Sequence, residues 1–101
     1  MLRQRLIKCY HVSFTNKRKS ILEEGLVPKD NEAMGYKNRL FFSTDKNNLG
    51  FDYVDYSNVD VWSFVIPKKS INLDKNAWKR CFCYTTESIP ASKLKLEETI
   101  N

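Results

Sequence analysis

One helix-ending signal divides this chain and limits the fold classes open to it. Glu24-Gly25-Leu26-Val27-Pro28 combines a glycine, suited to the left-handed conformation after a last helical turn, with a proline that prevents continuation. The helix that ends there begins near Thr15 or Asn16, whose side-chain oxygens are suited to cap it. It follows a strand predicted over residues 6–14 and precedes segments that mostly favour strands. This order of elements predicts a small α+β domain.

Later apolar segments predict further strands, at residues 40–43, 59–66, 70–73 and 79–85. Residues 28–38 are polar and predict a loop, whereas residues 94–96 alternate leucine with lysine, as in an edge strand protected by charge. Residues 45–57 fit neither periodicity, and Thr44-Asp45 is suited to cap a second short helix. We therefore expect two short, mostly antiparallel sheets with one or two helices in a single domain over residues 1–101.

The composition is that of a folded, basic protein. Hydrophobic residues make up 42% of the 101 and aromatic residues 13%, which is enough for a packed interior. No window approaches the roughly 18 apolar residues of a membrane span, and the basic N-terminus lacks the apolar region of a signal peptide. We expect a cytoplasmic protein with no membrane partner.

The net charge of +5 is concentrated in two basic regions, residues 3–19 and 68–95. If these regions converge on one face, they attract the phosphates of a nucleotide or a nucleic acid. Otherwise they form a solvated surface, and the sequence leaves both interpretations open.

The three cysteines, Cys9, Cys81 and Cys83, do not predict a metal site. An odd number leaves no complete disulfide framework within one chain. Together with His11 they supply four potential zinc ligands, but their spacing differs from that of the usual structural zinc sites. Buried, reduced thiols are the favoured interpretation.

The only histidine of the chain, His11, is the first candidate for chemistry. An imidazole changes charge near neutral pH and binds a hydroxyl group through either nitrogen. A core histidine bonded to a backbone carbonyl is the alternative. Because successive strand residues face opposite sides, a His11 in a cleft places Tyr10 on the other face.

Several segments, taken in order, resemble the ADP-ribosyltransferase superfamily, which includes the RNA 2′-phosphotransferases. The matching segments are Tyr10-His11-Val12-Ser13, residues 21–26 with their Gly-Leu ending, Leu40-Phe41-Phe42-Ser43-Thr44-Asp45, and Ile89-Pro90 before Lys93-Leu94. The phosphotransferases rely on a second histidine, which this chain lacks, so the resemblance favours transfer of ADP-ribose. It implies an ADP-ribosyltransferase-like fold, in which two sheets part around NAD.

The resemblance also implies roles for individual residues, with NAD as the substrate. His11 would hold a ribose hydroxyl of the nicotinamide nucleotide, the backbone of Val12 would bind the nicotinamide amide beside Ser13, and Ser43 would orient the ribose. An aromatic ring would stack on the nicotinamide. The candidates for that ring are Tyr36, which we select, Tyr53 and Tyr56.

The chain departs from the family in its catalytic carboxylate. The strand that should carry a glutamate, over residues 80–84, contains no acid, and the nearest carboxylate is Glu87. Negative charge near the ribosyl centre stabilises it as nicotinamide leaves, so either Glu87 is catalytic or this glutamate is absent. The first case implies a mono-ADP-ribosyltransferase acting on an unidentified protein or nucleic acid. The alternative is an inactive domain of the same fold that acts by binding, or as a structural or accessory protein of a virus or mobile element.

Overall fold

The computed structural model describes residues 5–33, 35–49, 58–75 and 81–100, which form seven strands and one α-helix. The strands are β1 (Leu6–Phe14), β2 (Lys29–Asn31), β3 (Tyr36–Ser43), β4 (Val59–Pro67), β5 (Asn72–Leu73), β6 (Phe82–Thr85) and β7 (Lys95–Ile100). The helix α1 (Arg18–Glu24) is entered through a 3-10 turn at Thr15–Lys17. Further 3-10 turns lie at Lys68–Ser70 and Ala91–Lys93. Within the described ranges, no helix is long and apolar enough to cross a bilayer.

The strands form one antiparallel sheet in the order β5-β6-β3-β1-β4-β7, with β2 paired to β3 beside this path. The α+β class and the antiparallel pairing predicted from the sequence are confirmed. The prediction of two separate sheets is wrong, because Tyr10 of β1 pairs with Ser43 of β3 and joins the two halves.

The two edges of β1 are paired very differently. Along β4, every residue of β1 has a partner, from Leu6 opposite Pro67 to Phe14 opposite Val59. Along β3, which the structure describes completely, the register holds only at Tyr10 and Ser43. The strands therefore diverge beyond this pair and leave a gap in the sheet.

The main core fills the space between α1 and one face of the sheet. Ile21 is the buried residue of α1, and it packs with Trp62 and Phe64 of β4 and with Phe42 of β3. Val12, Val59 and Val61 form a smaller cluster on the opposite face. The division follows from strand geometry, because neighbouring residues of β1 and β4 point to opposite sides.

The end of α1 agrees with the sequence, whereas its start does not. The helix ends at Glu24, and Gly25 follows with a φ of 78°. The prediction that Thr15 or Asn16 caps the helix is wrong, since no side-chain cap hydrogen bond forms at the start of the 3-10 turn or of α1. The turn is secured instead by the backbone, where the Thr15 N–H donates to the Asn58 carbonyl at 2.9 Å.

Part of the predicted loop over residues 28–38 is paired backbone. β2 occupies Lys29–Asn31, and β3 begins at Tyr36 rather than at residue 40. Asn38, with a φ of 54°, donates its N–H to Asp30 Oδ1 at 2.8 Å and so closes the hairpin. The expected second helix after Asp45 is a turn at residues 46–47, while residues 50–57 lie outside the described ranges.

Candidate functional site

A cavity of about 350 Å³ opens at the gap between β1 and β3. Its walls include His11 and Ser13 from β1, Glu24 from α1, and Tyr36 and Arg39 from β3. This volume lies near the lower end of the range of small-molecule sites, about 300 to 1,000 Å³. The divergence of two neighbouring strands therefore creates a space of ligand size inside the sheet.

The His11 ring crosses this gap and is held by the facing strand. Its Nδ1 lies 2.7 Å from the Phe41 carbonyl oxygen, and a carbonyl can only accept, so Nδ1 carries the proton. Burial lowers the His11 pKa below its usual value of 6.5, and the nearby Lys29 ammonium lowers it further, against the opposing effect of the Phe41 hydrogen bond. His11 is therefore neutral at pH 7, and its Nε2 offers a lone pair.

Ser13 is oriented by a buried tryptophan. The Trp62 side chain is 1% exposed, and its Nε1–H donates to Ser13 Oγ at 2.9 Å. Because that oxygen accepts from Trp62, the serine hydroxyl can direct its own proton elsewhere in the cavity.

Tyr36 and Arg39 form part of an aromatic and cationic wall on β3. The Tyr36 ring meets Phe41 edge-on, with centroids 4.9 Å apart and planes at 72°. The Arg39 guanidinium lies 4.3 Å from the Tyr84 ring centre and 5.6 Å from that of Tyr36. These contacts restrict both side chains, because edge-to-face and cation–π geometries are each favourable.

The cavity wall is more cationic than anionic. Lys17, Lys29 and Arg39 line it, against the single carboxylate of Glu24 among the described lining residues. Such a wall attracts anions, and phosphates above all. Of the two basic regions in the sequence, residues 3–19 contribute Lys17, and none of the described residues between 68 and 95 lines the cavity.

Sequence reasoning missed Lys29, Arg39 and Glu24. Lys29 and Arg39 lie in or next to the segment predicted as a polar loop. The sequence therefore did not indicate that they pair with each other across β2 and β3. Glu24 had a weak signal, because it directly precedes the helix-ending Gly25, where the chain turns back toward the sheet.

The cavity unites some of the predicted site residues and leaves others apart. His11, Ser13 and Tyr36 line it together. Ser43 is buried away from it, with its hydroxyl bonded to both the carbonyl and the N–H of Asp45 at 3.0 Å. The Val12 side chain belongs to the valine cluster on the opposite face, while its backbone lies next to His11 in β1.

The remaining predicted residues are not among the described residues that line this cavity. Glu87 is exposed after β6, where its N–H is bonded to Thr85 Oγ1 at 3.2 Å, and it does not line the cavity. Tyr53 and Tyr56 lie outside the described residues.

The thiols and acids show no grouping for a metal. In the part of the chain that the structure describes, no three His, Cys, Asp or Glu side chains are placed to hold one ion. Burial raises the pKa of Cys9 to about 12, with a smaller contribution from Cys83, which makes this thiol unreactive.

A partly buried ion pair fixes α1 against the sheet and thereby positions one cavity wall. The Arg18 guanidinium donates to both carboxylate oxygens of Asp60, at 2.9 and 2.6 Å, and Thr99 Oγ1 donates to Asp60 Oδ1 at 2.7 Å. The Arg18 bond lowers the pKa of Asp60, whose side chain is fully buried. The start of the helix is thus tied to β4 and β7.

No family model, curated protein or solved structure matches this chain.

Proposed function

We propose that this protein is a small NAD-binding protein with an ADP-ribosyltransferase-like fold, which expels nicotinamide and transfers ADP-ribose to a macromolecular acceptor. One observation carries the proposal: His11 bridges the gap between β1 and β3, with its protonated Nδ1 bonded to the Phe41 carbonyl oxygen. The resemblance of Tyr10-His11-Val12-Ser13 to the family's first strand assigns that histidine to the ribose.

The protonation state of His11 suits a hydroxyl ligand. A neutral ring with its proton on Nδ1 offers Nε2 only as an acceptor, and a ribose hydroxyl can donate to it. The Phe41 carbonyl fixes the ring, so the acceptor is oriented before a ligand enters. Ser13, whose oxygen is bonded to Trp62, can donate its hydroxyl proton to a neighbouring ribose oxygen.

Tyr36 suits the nicotinamide ring. It lines the cavity, where an edge-on contact with Phe41 and the Arg39 guanidinium 5.6 Å from its ring centre hold it. An aromatic ring in such a wall attracts a planar cation. The nicotinamide of NAD is such a cation.

The three cations of the wall suit the pyrophosphate. Lys17, Lys29 and Arg39 come from three different elements that meet at this cavity. Arginine binds phosphate through two parallel hydrogen bonds, and lysine supplies a mobile point charge.

The reaction needs negative charge near C1′ of the ribose. Departure of nicotinamide breaks the C1′–N bond, and the bonding electron pair leaves with the nicotinamide. The acceptor then supplies an electron pair to C1′ and loses a proton. Glu24 is the carboxylate that lines the cavity among the described residues, so we assign it the stabilising role that the sequence alone suggested for Glu87.

The test measures NAD binding by titration calorimetry and nicotinamide release by chromatography. Wild-type protein should bind NAD and release nicotinamide. His11→Ala should weaken binding about tenfold, the value of one well-placed hydrogen bond. Glu24→Gln should retain binding and slow release about 100-fold, as for loss of one electrostatic contact to a transition state.

Two further glutamates serve as matched variants. Glu23→Gln changes the neighbouring residue of α1, which does not line the cavity, and should leave both measurements unchanged. Loss of release in Glu87→Gln instead of Glu24→Gln would return the catalytic role to Glu87. Binding without any release by wild type would favour the inactive domain that acts by binding, and absence of binding would contradict the proposal.

A further inference from the structure

Two exposed apolar side chains stand at the cavity. Among the described residues, Phe14 is 53% exposed and Val27 is 45% exposed, and both line the cavity. An exposed phenyl ring is unfavourable in water and gains from any planar apolar partner. Leu22, which is 58% exposed, does not line the cavity and so provides a natural comparison.

The backbone at both positions is fixed by hydrogen bonds. Phe14 ends β1 and directly precedes Thr15, whose N–H is bonded to the Asn58 carbonyl at 2.9 Å. Val27 follows Leu26, which exchanges two backbone hydrogen bonds with Ile89, at 2.9 and 2.8 Å. Both apolar side chains are therefore presented from rigid segments.

The size of the cavity leaves part of a dinucleotide outside it. A volume of about 350 Å³ suits one nucleoside and not two. If His11 and Tyr36 hold the nicotinamide nucleoside, the second nucleoside must extend beyond the cavity on the far side of the pyrophosphate. Lys17, three residues after Phe14 in the following 3-10 turn, lines the same cavity and supplies a cation for that pyrophosphate.

We propose that Phe14, supported by Val27, is the stacking surface for the adenine base of the dinucleotide. The inference rests on the proposed NAD binding and goes beyond it, since it assigns the second base to a named surface. Stacking of a base on an aromatic side chain tolerates any base, because every base has a π-face. The surface therefore contributes affinity for dinucleotides and little selectivity among bases.

The test compares NAD with nicotinamide mononucleotide, which lacks the adenosine half, by titration calorimetry. Phe14→Ala should weaken NAD binding about tenfold or more, in line with the measured effects of removing a stacking ring, and should leave binding of the mononucleotide unchanged. Phe14→Trp should retain NAD binding. Leu22→Ala removes a similarly exposed side chain away from the cavity and should change neither affinity.

Each other outcome separates the two proposals. Equal weakening of both ligands in Phe14→Ala would place the ring against the nicotinamide half, and unchanged NAD binding would remove it from the site; either result overturns the stacking assignment while NAD binding stands. Failure of wild-type protein to bind either ligand would overturn the proposed function and this surface with it.

Discussion

The two edges of β1 differ in how they are held together. The edge facing β4 is paired along its full length, and β4 itself is tied to α1 by the partly buried contact between Arg18 and Asp60. The edge facing β3 is paired at Tyr10 and Ser43, and beyond that pair a side chain, His11, makes the connection to Phe41. One strand thus supplies both a structural seam and an opening, and the candidate site lies at the opening.

The largest loss of stability is expected at Gly25, where the chain leaves α1. A Cβ on Gly25 would overlap the Ile89 carbonyl oxygen and lie 2.9 Å from the Ala91 nitrogen, at a φ of +78°. Gly25→Ala should therefore lower the free energy of unfolding by about 3 kcal/mol through strain and overpacking. Urea unfolding measures the loss. Gly35→Ala is the control, because that glycine has a φ of +74° but nothing within 4 Å, so only about 1 kcal/mol of backbone strain is expected.

A smaller loss of stability is expected for a change at Asp60, in the strand β4 that pairs with β1 along its full length. Asp60→Asn removes charge-assisted hydrogen bonds to Arg18 and should cost about 2 kcal/mol at pH 7. The pKa of Asp60 is lowered in the folded state, so its contribution is complete above the usual value of 3.8 and is lost as pH falls through the folded-state pKa. The difference between wild type and variant, measured by urea unfolding, should shrink in acid. A difference that stays constant down to pH 2 would contradict this assignment.

Ser13→Ala should have a still smaller effect, although it touches both edges of β1. It removes the acceptor of the Trp62 indole and leaves a buried N–H without its partner. We expect a loss of about 1 kcal/mol, since water in the adjoining cavity can replace the serine oxygen in part. Ser20→Ala, which also changes a cavity serine, should be neutral by thermal unfolding; an equal loss would mean that the Trp62 bond contributes nothing.

The smallest effect at neutral pH is expected for His11→Gln, because an amide N–H can replace the ring N–H opposite Phe41. We expect a change below about 1 kcal/mol at pH 7.5. The His11 pKa is lowered in the folded state, so its neutral form contributes stability above pH 6.5 that is lost as pH falls through the folded-state pKa. Wild type should lose more stability than the variant between pH 7.5 and 5.5. Parallel curves would show that His11 does not titrate in this way.

The well-paired edge was more predictable than the open one. Residues 6–14 and 59–66 are rich in apolar side chains, and the observed strands, Leu6–Phe14 and Val59–Pro67, agree with the predicted ones almost to the residue. The polar residues Lys29–Asn31 form β2 through backbone pairing with β3, which no side-chain pattern reveals. The divergence of β1 from β3 likewise depends on the tertiary fold, and no local sequence pattern indicates it.

The candidate site was predictable only in part, for the same reason. His11 and Tyr36 stood out by residue type and by resemblance, and the cavity contains both. Ser43 carried an equally suggestive motif, yet its hydroxyl is used by its own turn at Asp45, because short serine side chains readily bond to nearby backbone. Arg39 and Glu24 line the cavity because the tertiary fold brings β3 and the end of α1 together. The local sequence around either residue does not indicate this.

The buried indole of Trp62 has an optical consequence. Its ring is shielded from solvent, and its one polar atom is bonded to a side chain of the cavity wall. The emission of such an indole lies at short wavelength and shifts when its hydrogen bond or its surroundings change. The second tryptophan, Trp78, lies outside the described residues, so a Trp78→Phe background would leave Trp62 as the sole emitter. The protein then carries its own fluorophore one hydrogen bond away from the space that a ligand would enter.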